Sequence, residues 1–142
     1  MDKKYILSID GGGVRTLASI TFLKLLEKET NIKVHEKFDF FVGTSAGAIS
    51  CLALAVKRFS ARELEGMWGT PNLRRIMPTS SWDRSLGLLQ SKPKYTSAGK
   101  RTVLKNYFGN STLGEALKPV AVLSYDIQTR SPVLFKSYVE AD

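Results

Sequence analysis

The chain has 142 residues, of which 43% are hydrophobic and 24% are charged, so it is globular and long enough for one domain of ordinary size. Its net charge of +8 favours contact with anionic surfaces, but no nucleic-acid-binding motif accompanies the charge, and we expect no nucleic-acid partner. The single cysteine, Cys51, excludes an internal disulfide and a cysteine metal cluster, and we interpret it as a buried structural thiol.

The N-terminus does not have the pattern of a signal peptide, because a short apolar run there leads directly into an aspartate. The longest apolar stretch, residues 46–56, is shorter than the roughly 20 residues that a membrane span needs. We therefore expect no transmembrane segment and a cytoplasmic location, with any membrane contact being peripheral.

The first part of the chain alternates strands and helices. Residues 5–9 predict a short apolar strand, followed by the glycine-rich stretch "DGGGVR". Residues 16–30 carry leucine and isoleucine at helical spacing and predict an amphipathic helix packed on a sheet. Residues 38–42, "FDFFV", predict a strand apolar enough to be central in a parallel sheet, and residues 46–56 predict a buried helix. This order predicts an α/β fold.

The middle of the chain begins with "SARE" from Ser60, a capping box that predicts a short helix toward Trp68. Residues 69–99 are rich in Pro, Ser, Lys and Arg and predict a long surface excursion with a short helical piece. Such a segment is either a lid or an insertion without function. Residues 100–108 predict a helix that ends at Gly109.

The last part of the chain is predicted to be mainly β-structure. "TLGE" from Thr112 is a second capping box and predicts a short helix. Residues 120–127 predict a third strand, and residues 131–138 predict a fourth strand that pairs with it in an antiparallel hairpin.

"GTSAG", from Gly43 to Gly47, matches the G-x-S-x-G pattern of a nucleophile elbow. In such an elbow the serine lies on a sharp turn between a strand and a helix, and glycines allow the close approach that the turn requires. Here an apolar strand precedes the motif and a helix of small residues follows it. We therefore interpret Ser45 as a nucleophile, with the elbow formed by Gly43, Thr44, Ser45, Ala46 and Gly47.

A nucleophilic serine needs donors that stabilise the oxyanion. If the first two strands are parallel, the glycine loop and the elbow lie at the same carboxyl edge of the sheet. The loop can then present backbone N–H groups to the oxyanion, and Arg15 adds a positive charge nearby.

The serine also needs a base. His35 is the only histidine; it precedes Ser45 and lies in the charged stretch "KVHEK", so we interpret it as a solvated loop residue. The α/β-hydrolases order their triad as Ser, Asp or Glu, then His, which this chain cannot match. A serine activated directly by a carboxylate remains.

"DGGGVR", "GTSAG" about thirty residues later and "VAVLSYDIQTRSPVLF" together resemble the patatin-like phospholipases. The resemblance covers nearly the whole chain. It implies a three-layer α/β fold with a mostly parallel central sheet, and a lipid acyl hydrolase that uses a Ser–Asp dyad without metal or cofactor. It places the nucleophile on Ser45 and the oxyanion hole on the following residues: Gly11, Gly12, Gly13 and Ala46, with Arg15 nearby.

Two features depart from the family pattern. Thr16 stands where the family usually has glycine, so we expect the helix start to be slightly displaced. No later Asp-Gly-Gly or Asp-Gly-Ala motif is present to supply the dyad aspartate, and Asp126 matches a different family position. We therefore expect residues 1–142 to be a single patatin-like domain, incomplete at its C-terminal end, either an N-terminal fragment or a naturally truncated member, and inactive alone.

Two other functions are compatible with parts of the sequence. "IDGGGVRT" resembles the phosphate loop of actin-like ATPases and sugar kinases, but there the chain returns as a strand, and "GTSAG" would have no role. A non-catalytic lipid-surface binding module is the second alternative, with bilayer contacts from Trp68, Trp82 and residues 86–89. We expect these apolar side chains to pack locally instead.

Overall fold

The computed structural model describes residues 3–76 and 97–138. The chain divides into two compact units. The first combines residues up to Gly66 with those from Ser111 onward, and the second is Met67–Asn110. Trp82 and residues 86–89, which bear on the lipid-binding alternative, lie outside the described residues.

A four-stranded sheet forms the centre of the first unit. Its strands, in spatial order, are β1 (Ile6–Ile9), β2 (Phe40–Thr44), β3 (Val120–Asp126) and β4 (Ser131–Lys136). β1, β2 and β3 run parallel, and β4 pairs antiparallel with β3. The predictions of an α/β class, a mostly parallel sheet, a central second strand and a C-terminal hairpin are confirmed.

Four helices belong to this part of the chain, namely α1 (Thr16–Thr30), α2 (Val34–Lys37), α3 (Ser45–Lys57) and α4 (Ala61–Met67). α3 contacts all three parallel strands, and its residues Cys51 and Leu54 are fully buried. α1 buries Ile20 and Leu23, as its periodicity predicts. Within residues 3–76 and 97–138, every helix is too short or too polar to span a bilayer.

Both capping boxes form as the sequence predicts. The Glu63 carboxylate accepts the Ser60 N–H at 2.7 Å, which stabilises the start of α4. The Glu115 carboxylate accepts the Thr112 N–H at 2.6 Å, and the helix that follows is a short 3-10 turn, Leu113–Glu115.

The second unit contains α5 (Thr70–Ile76) and α6 (Ser97–Phe108). The Asn72 amide donates to the Tyr107 hydroxyl at 2.9 Å and so links the two helices. α6 begins three residues before the predicted start and ends as predicted before Gly109, whose φ is +62°. Trp68 is only 3% exposed, which confirms that this side chain is buried rather than available to a bilayer.

Two boundaries differ from the sequence prediction. β2 covers residues 40–44 instead of 38–42, because its ladders with β1 and β3 extend to Gly43 and Thr44. The stretch "KVHEK", interpreted above as a loop, contains the helix α2, whose Val34 is buried. In both places long-range pairing and packing set the structure, and local composition does not reveal them.

Candidate active site

Ser45 lies on the turn where β2 ends and α3 begins, and it is exposed. Its φ is +52°, in the left-handed region that non-glycine residues rarely adopt. This conformation costs about 1–2 kcal/mol, and such strain persists only where the surrounding structure imposes it. An exposed serine in a strained strand-to-helix turn is the geometry of a nucleophile elbow.

The glycines on either side of Ser45 allow the close packing that forms this turn. A methyl group added at Gly43 would lie 2.7 Å from the carbonyl group of Gly47. A methyl group at Gly47 would lie 2.1 Å from the Ile9 carbonyl oxygen at the end of β1. Both contacts are with backbone atoms, so no side chain could be accommodated without moving α3.

The glycine loop follows β1 and lies directly against the elbow. A methyl group added at Gly11 would lie 2.9 Å from Ser45 Cβ, and the Gly11 N–H donates to Thr44 Oγ1 at 2.8 Å. Because β1 and β2 are parallel and pair Ile9 with Gly43, both turns leave the sheet at the same edge. This juxtaposition is the one that the sequence predicts for parallel strands.

The three loop glycines differ in their hydrogen bonding. The Gly11 N–H is engaged by Thr44, whereas the Gly12 and Gly13 N–H groups have no acceptor among the described residues. Gly13 has φ +57° and begins a 3-10 turn that ends at Arg15 and leads into α1. Gly12 and Gly13 therefore offer two donors without an acceptor in the described residues, in the loop whose Gly11 packs against Ser45.

Two further groups lie beside this loop. Ala46 is in the first turn of α3, where helical N–H groups have no intrahelical acceptor. Arg15 is exposed at the start of α1, so its charge adds to the positive end of the α1 dipole.

Thr16, which takes the place where the family resemblance predicts glycine, is the first residue of α1. Its side chain is only 3% exposed, and its Oγ1 has no hydrogen-bond partner within the part of the chain that the structure describes. Thr16 is therefore buried at the start of the helix that follows the glycine loop.

His35 lies on α2, and its side chain is only 17% exposed, so the expectation of a solvated loop residue is wrong. Its Nδ1 lies 3.4 Å from the Phe59 carbonyl oxygen, and its ring lines a surface cavity with Leu54. Nine residues at about 1.5 Å each separate Leu54 from Ser45 along α3. His35 is therefore at the far end of α3 from the elbow, and it cannot form a triad with Ser45.

No carboxylate or histidine among residues 3–76 and 97–138 hydrogen-bonds to the Ser45 hydroxyl. Asp126 serves the hairpin turn, where it accepts the Gln128 N–H at 2.8 Å and the Thr129 hydroxyl at 2.9 Å. The Gln128 N–H, as the largest influence, lowers the pKa of Asp126. Within the same described ranges, no group of His, Cys, Asp and Glu side chains could hold a metal ion.

Sequence reasoning did not find the hydrogen bond between Thr44 and Gly11. Its only signal is a threonine at the end of a strand, directly before the candidate nucleophile. The partner is 33 residues away, and only the parallel register shows that they meet.

Comparison with known proteins is consistent with this geometry. A family model described as patatin-like phospholipase matches residues 7–141. Patatin-like protein 2 of Oryza sativa subsp. indica is 30% identical over 94% of this chain and 36% of its own length. The cGAMP-activated phospholipase of Escherichia coli (strain TW11681) is also 30% identical, over 93% of this chain and 39% of its own length.

Patatin-T5 of Solanum tuberosum is 28% identical over 92% of this chain and 35% of its own length. The chain thus spans little more than a third of the length of these relatives. The family model nevertheless covers almost every residue of the chain. The matched residues form a mostly parallel sheet, and the glycine loop packs against the turn that carries Ser45. The chain belongs to the patatin-like phospholipase family.

Proposed function

We propose that this chain carries the nucleophile and the oxyanion donors of a serine acyl hydrolase that cleaves fatty acyl esters of lipids. The observation that carries the proposal is the strained, exposed Ser45 packed against a loop with two unpaired N–H donors. Family membership and relatives named as phospholipases support lipid esters as the substrate class.

In this mechanism the Ser45 hydroxyl loses its proton to a carboxylate base, as the family's Ser–Asp dyad implies, and Ser45 Oγ attacks the ester carbonyl carbon. The carbonyl oxygen becomes an oxyanion held by the N–H groups of Gly12, Gly13 and Ala46, with the Arg15 charge nearby. Donors of this kind are each worth about 3–4 kcal/mol in serine hydrolases. The alcohol leaves with a proton, and water then releases the fatty acid from Ser45.

A lipid surface is the proposed place of reaction. The net charge of +8 attracts anionic headgroups, and this attraction weakens as salt screens it. The proposed encounter is peripheral and takes place in the cytoplasm.

The first test is covalent labelling with a fluorophosphonate probe, followed by peptide mass spectrometry. We expect the adduct on Ser45, and Ser45→Ala to remove the adduct while leaving the fold intact. Because residues 1–142 alone are expected to be inactive, hydrolysis of a p-nitrophenyl ester is measured on a longer chain that supplies the carboxylate base, where we expect Ser45→Ala to abolish it. Ser124→Ala removes another exposed serine, on β3, and is expected to label as the unchanged chain does.

The labelling result also distinguishes a catalytic protein from one that only binds lipid. If lipid vesicles are bound but Ser45 stays unlabelled even in a longer chain that supplies the carboxylate base, the protein is a lipid-surface binding module. Ester hydrolysis that persists in Ser45→Ala would show that another residue is the nucleophile.

A further inference from the structure

The Thr44 side chain connects the two loops of the candidate site. Its Oγ1 accepts the Gly11 N–H at 2.8 Å, across 33 residues of sequence. Thr44 is the last residue of β2, and Gly11 follows the end of β1 by two residues. The bond therefore joins the elbow to the glycine loop just outside the sheet.

The β-ladder does not itself hold this part of the loop. The pairing of β1 with β2 ends at Ile9 and Gly43, so Gly11 lies beyond the last paired residues. Beyond the last paired residues, the hydrogen bond from Gly11 to the Thr44 side chain keeps the two segments connected.

The space around this bond is tightly filled. A methyl group at Gly11 would lie 2.9 Å from Ser45 Cβ and 3.0 Å from Thr44 Oγ1. A small displacement of Gly11 therefore changes how the loop backbone meets Ser45. The next two residues, Gly12 and Gly13, carry N–H groups that find no acceptor within residues 3–76 and 97–138.

We infer that Thr44 is a positioning residue, whose hydroxyl fixes the glycine loop so that the Gly12 and Gly13 N–H groups face the acyl group attacked by Ser45. This inference rests on the proposed function for its catalytic meaning, but the hydrogen bond itself does not. The hydrogen bond requires only an acceptor oxygen in the side chain of residue 44, which serine also supplies and valine does not.

The experiment compares Thr44→Val, which keeps the branched shape, with Thr44→Ser, which keeps the hydroxyl. Amide hydrogen exchange measured by NMR reports on the Gly11 N–H directly. We expect exchange at Gly11 to be up to about tenfold faster in Thr44→Val, the usual range for one lost hydrogen bond, and close to the unchanged chain in Thr44→Ser.

The second readout is the kinetics of fluorophosphonate labelling at Ser45. A misplaced oxyanion donor lowers the rate of the chemical step, so we expect the maximal labelling rate to fall about 10- to 100-fold in Thr44→Val. The probe concentration that gives half of this rate is expected to stay unchanged. Thr44→Ser is expected to restore the rate, which a purely structural role of the methyl group would not allow.

Each outcome decides a different point. If Thr44→Val leaves Gly11 exchange and Ser45 labelling unchanged, or changes exchange alone, Thr44 is not a positioning residue. If Ser45 is not labelled even in a longer chain that supplies the carboxylate base, the proposed hydrolase function is wrong, and Gly11 exchange still tests the bond. If Thr44→Val does not fold, as judged by circular dichroism, Thr44→Ala removes the same hydroxyl and takes its place.

Discussion

Ser45 adopts a backbone conformation that costs free energy, and its neighbours hold it there. Its φ of +52° has no local cause, because serine has no preference for the left-handed region. The constraint comes from Gly43, which packs against the backbone of Gly47, and from Gly47, which packs against the end of β1. The strain thus identifies Ser45 as a residue whose position is imposed by tertiary contacts.

Cys51 is another potential nucleophile in the same helix, and its environment makes it inert. Its side chain is fully buried, and its Sγ lies 3.2 Å from the Val42 carbonyl oxygen. Burial raises the pKa of the Cys51 thiol to about 12, so the reactive thiolate is almost absent near neutral pH.

We therefore expect Cys51 in the folded chain not to react with Ellman's reagent at pH 8, and one thiol per chain to react after denaturation in guanidinium. The measurement is the absorbance of the released thiolate with and without denaturant. Rapid reaction of the folded chain would contradict the buried position. This result would also exclude Cys51 as a site of covalent labelling in the native protein.

At the scale of elements, the contact between α3 and the end of β1 decides whether the elbow forms. Gly47→Ala places a methyl group 2.1 Å from the Ile9 carbonyl oxygen and 2.7 Å from that of Asp10. Because both neighbours are backbone atoms, α3 must move. We expect the free energy of unfolding to fall by at least about 2 kcal/mol, measured by urea denaturation.

Gly66→Ala is the matched control, since it makes the same substitution in the helix α4. A methyl group at Gly66 would meet no atom within 4 Å. There alanine should stabilise the chain by about 0.5–1 kcal/mol, because glycine loses more conformational freedom in a helix. Equal stability of the two variants would show that α3 does not pack on β1 as closely as described.

At the scale of the whole molecule, three carboxylates spread along the chain each hold a piece of backbone, one across 34 residues of sequence and two within a local turn or helix start. Each accepts a backbone N–H, which is the main reason that its pKa is lowered. The pairs are Asp39 with Tyr5 at the start of the sheet, Glu63 with Ser60 at α4, and Asp126 with Gln128 in the hairpin.

A lowered pKa in the folded state means that the ionised carboxylate stabilises the fold. This stabilisation is complete above the ordinary pKa values near 4 and is lost as the pH falls through the lower folded values. We expect the urea midpoint to be constant between pH 7 and 6 and to fall between pH 5 and 3. The Asp39→Asn variant should have a lower urea midpoint at pH 7, and this midpoint should fall less between pH 5 and 3 than that of the unchanged chain. An equal fall in the two proteins would exclude Asp39 as a contributor to the pH dependence of stability.

The sequence by itself determined the features of this protein that depend on residues a few positions apart. The capping boxes at Ser60 and Thr112, the periodicity of α1 and the hairpin after Asp126 are local patterns. Each is encoded by hydrogen bonds or side-chain spacing within one element, so the sequence predicts it directly. The G-x-S-x-G motif between an apolar strand and a small-residue helix belongs to the same class.

Only the tertiary structure decided how these elements meet. Three features depend on partners that are distant in sequence. They are the extension of β2 to Thr44, the burial of His35 at the far end of α3, and the hydrogen bond from Gly11 to Thr44. The bond from Gly11 to Thr44 follows from the parallel register that pairs Ile9 with Gly43. The extension of β2 follows from the register that pairs Thr44 with Leu123, and the burial of His35 follows from its packing near Leu54. A register is a property of two strands in space, whereas periodicity and capping are properties of one segment.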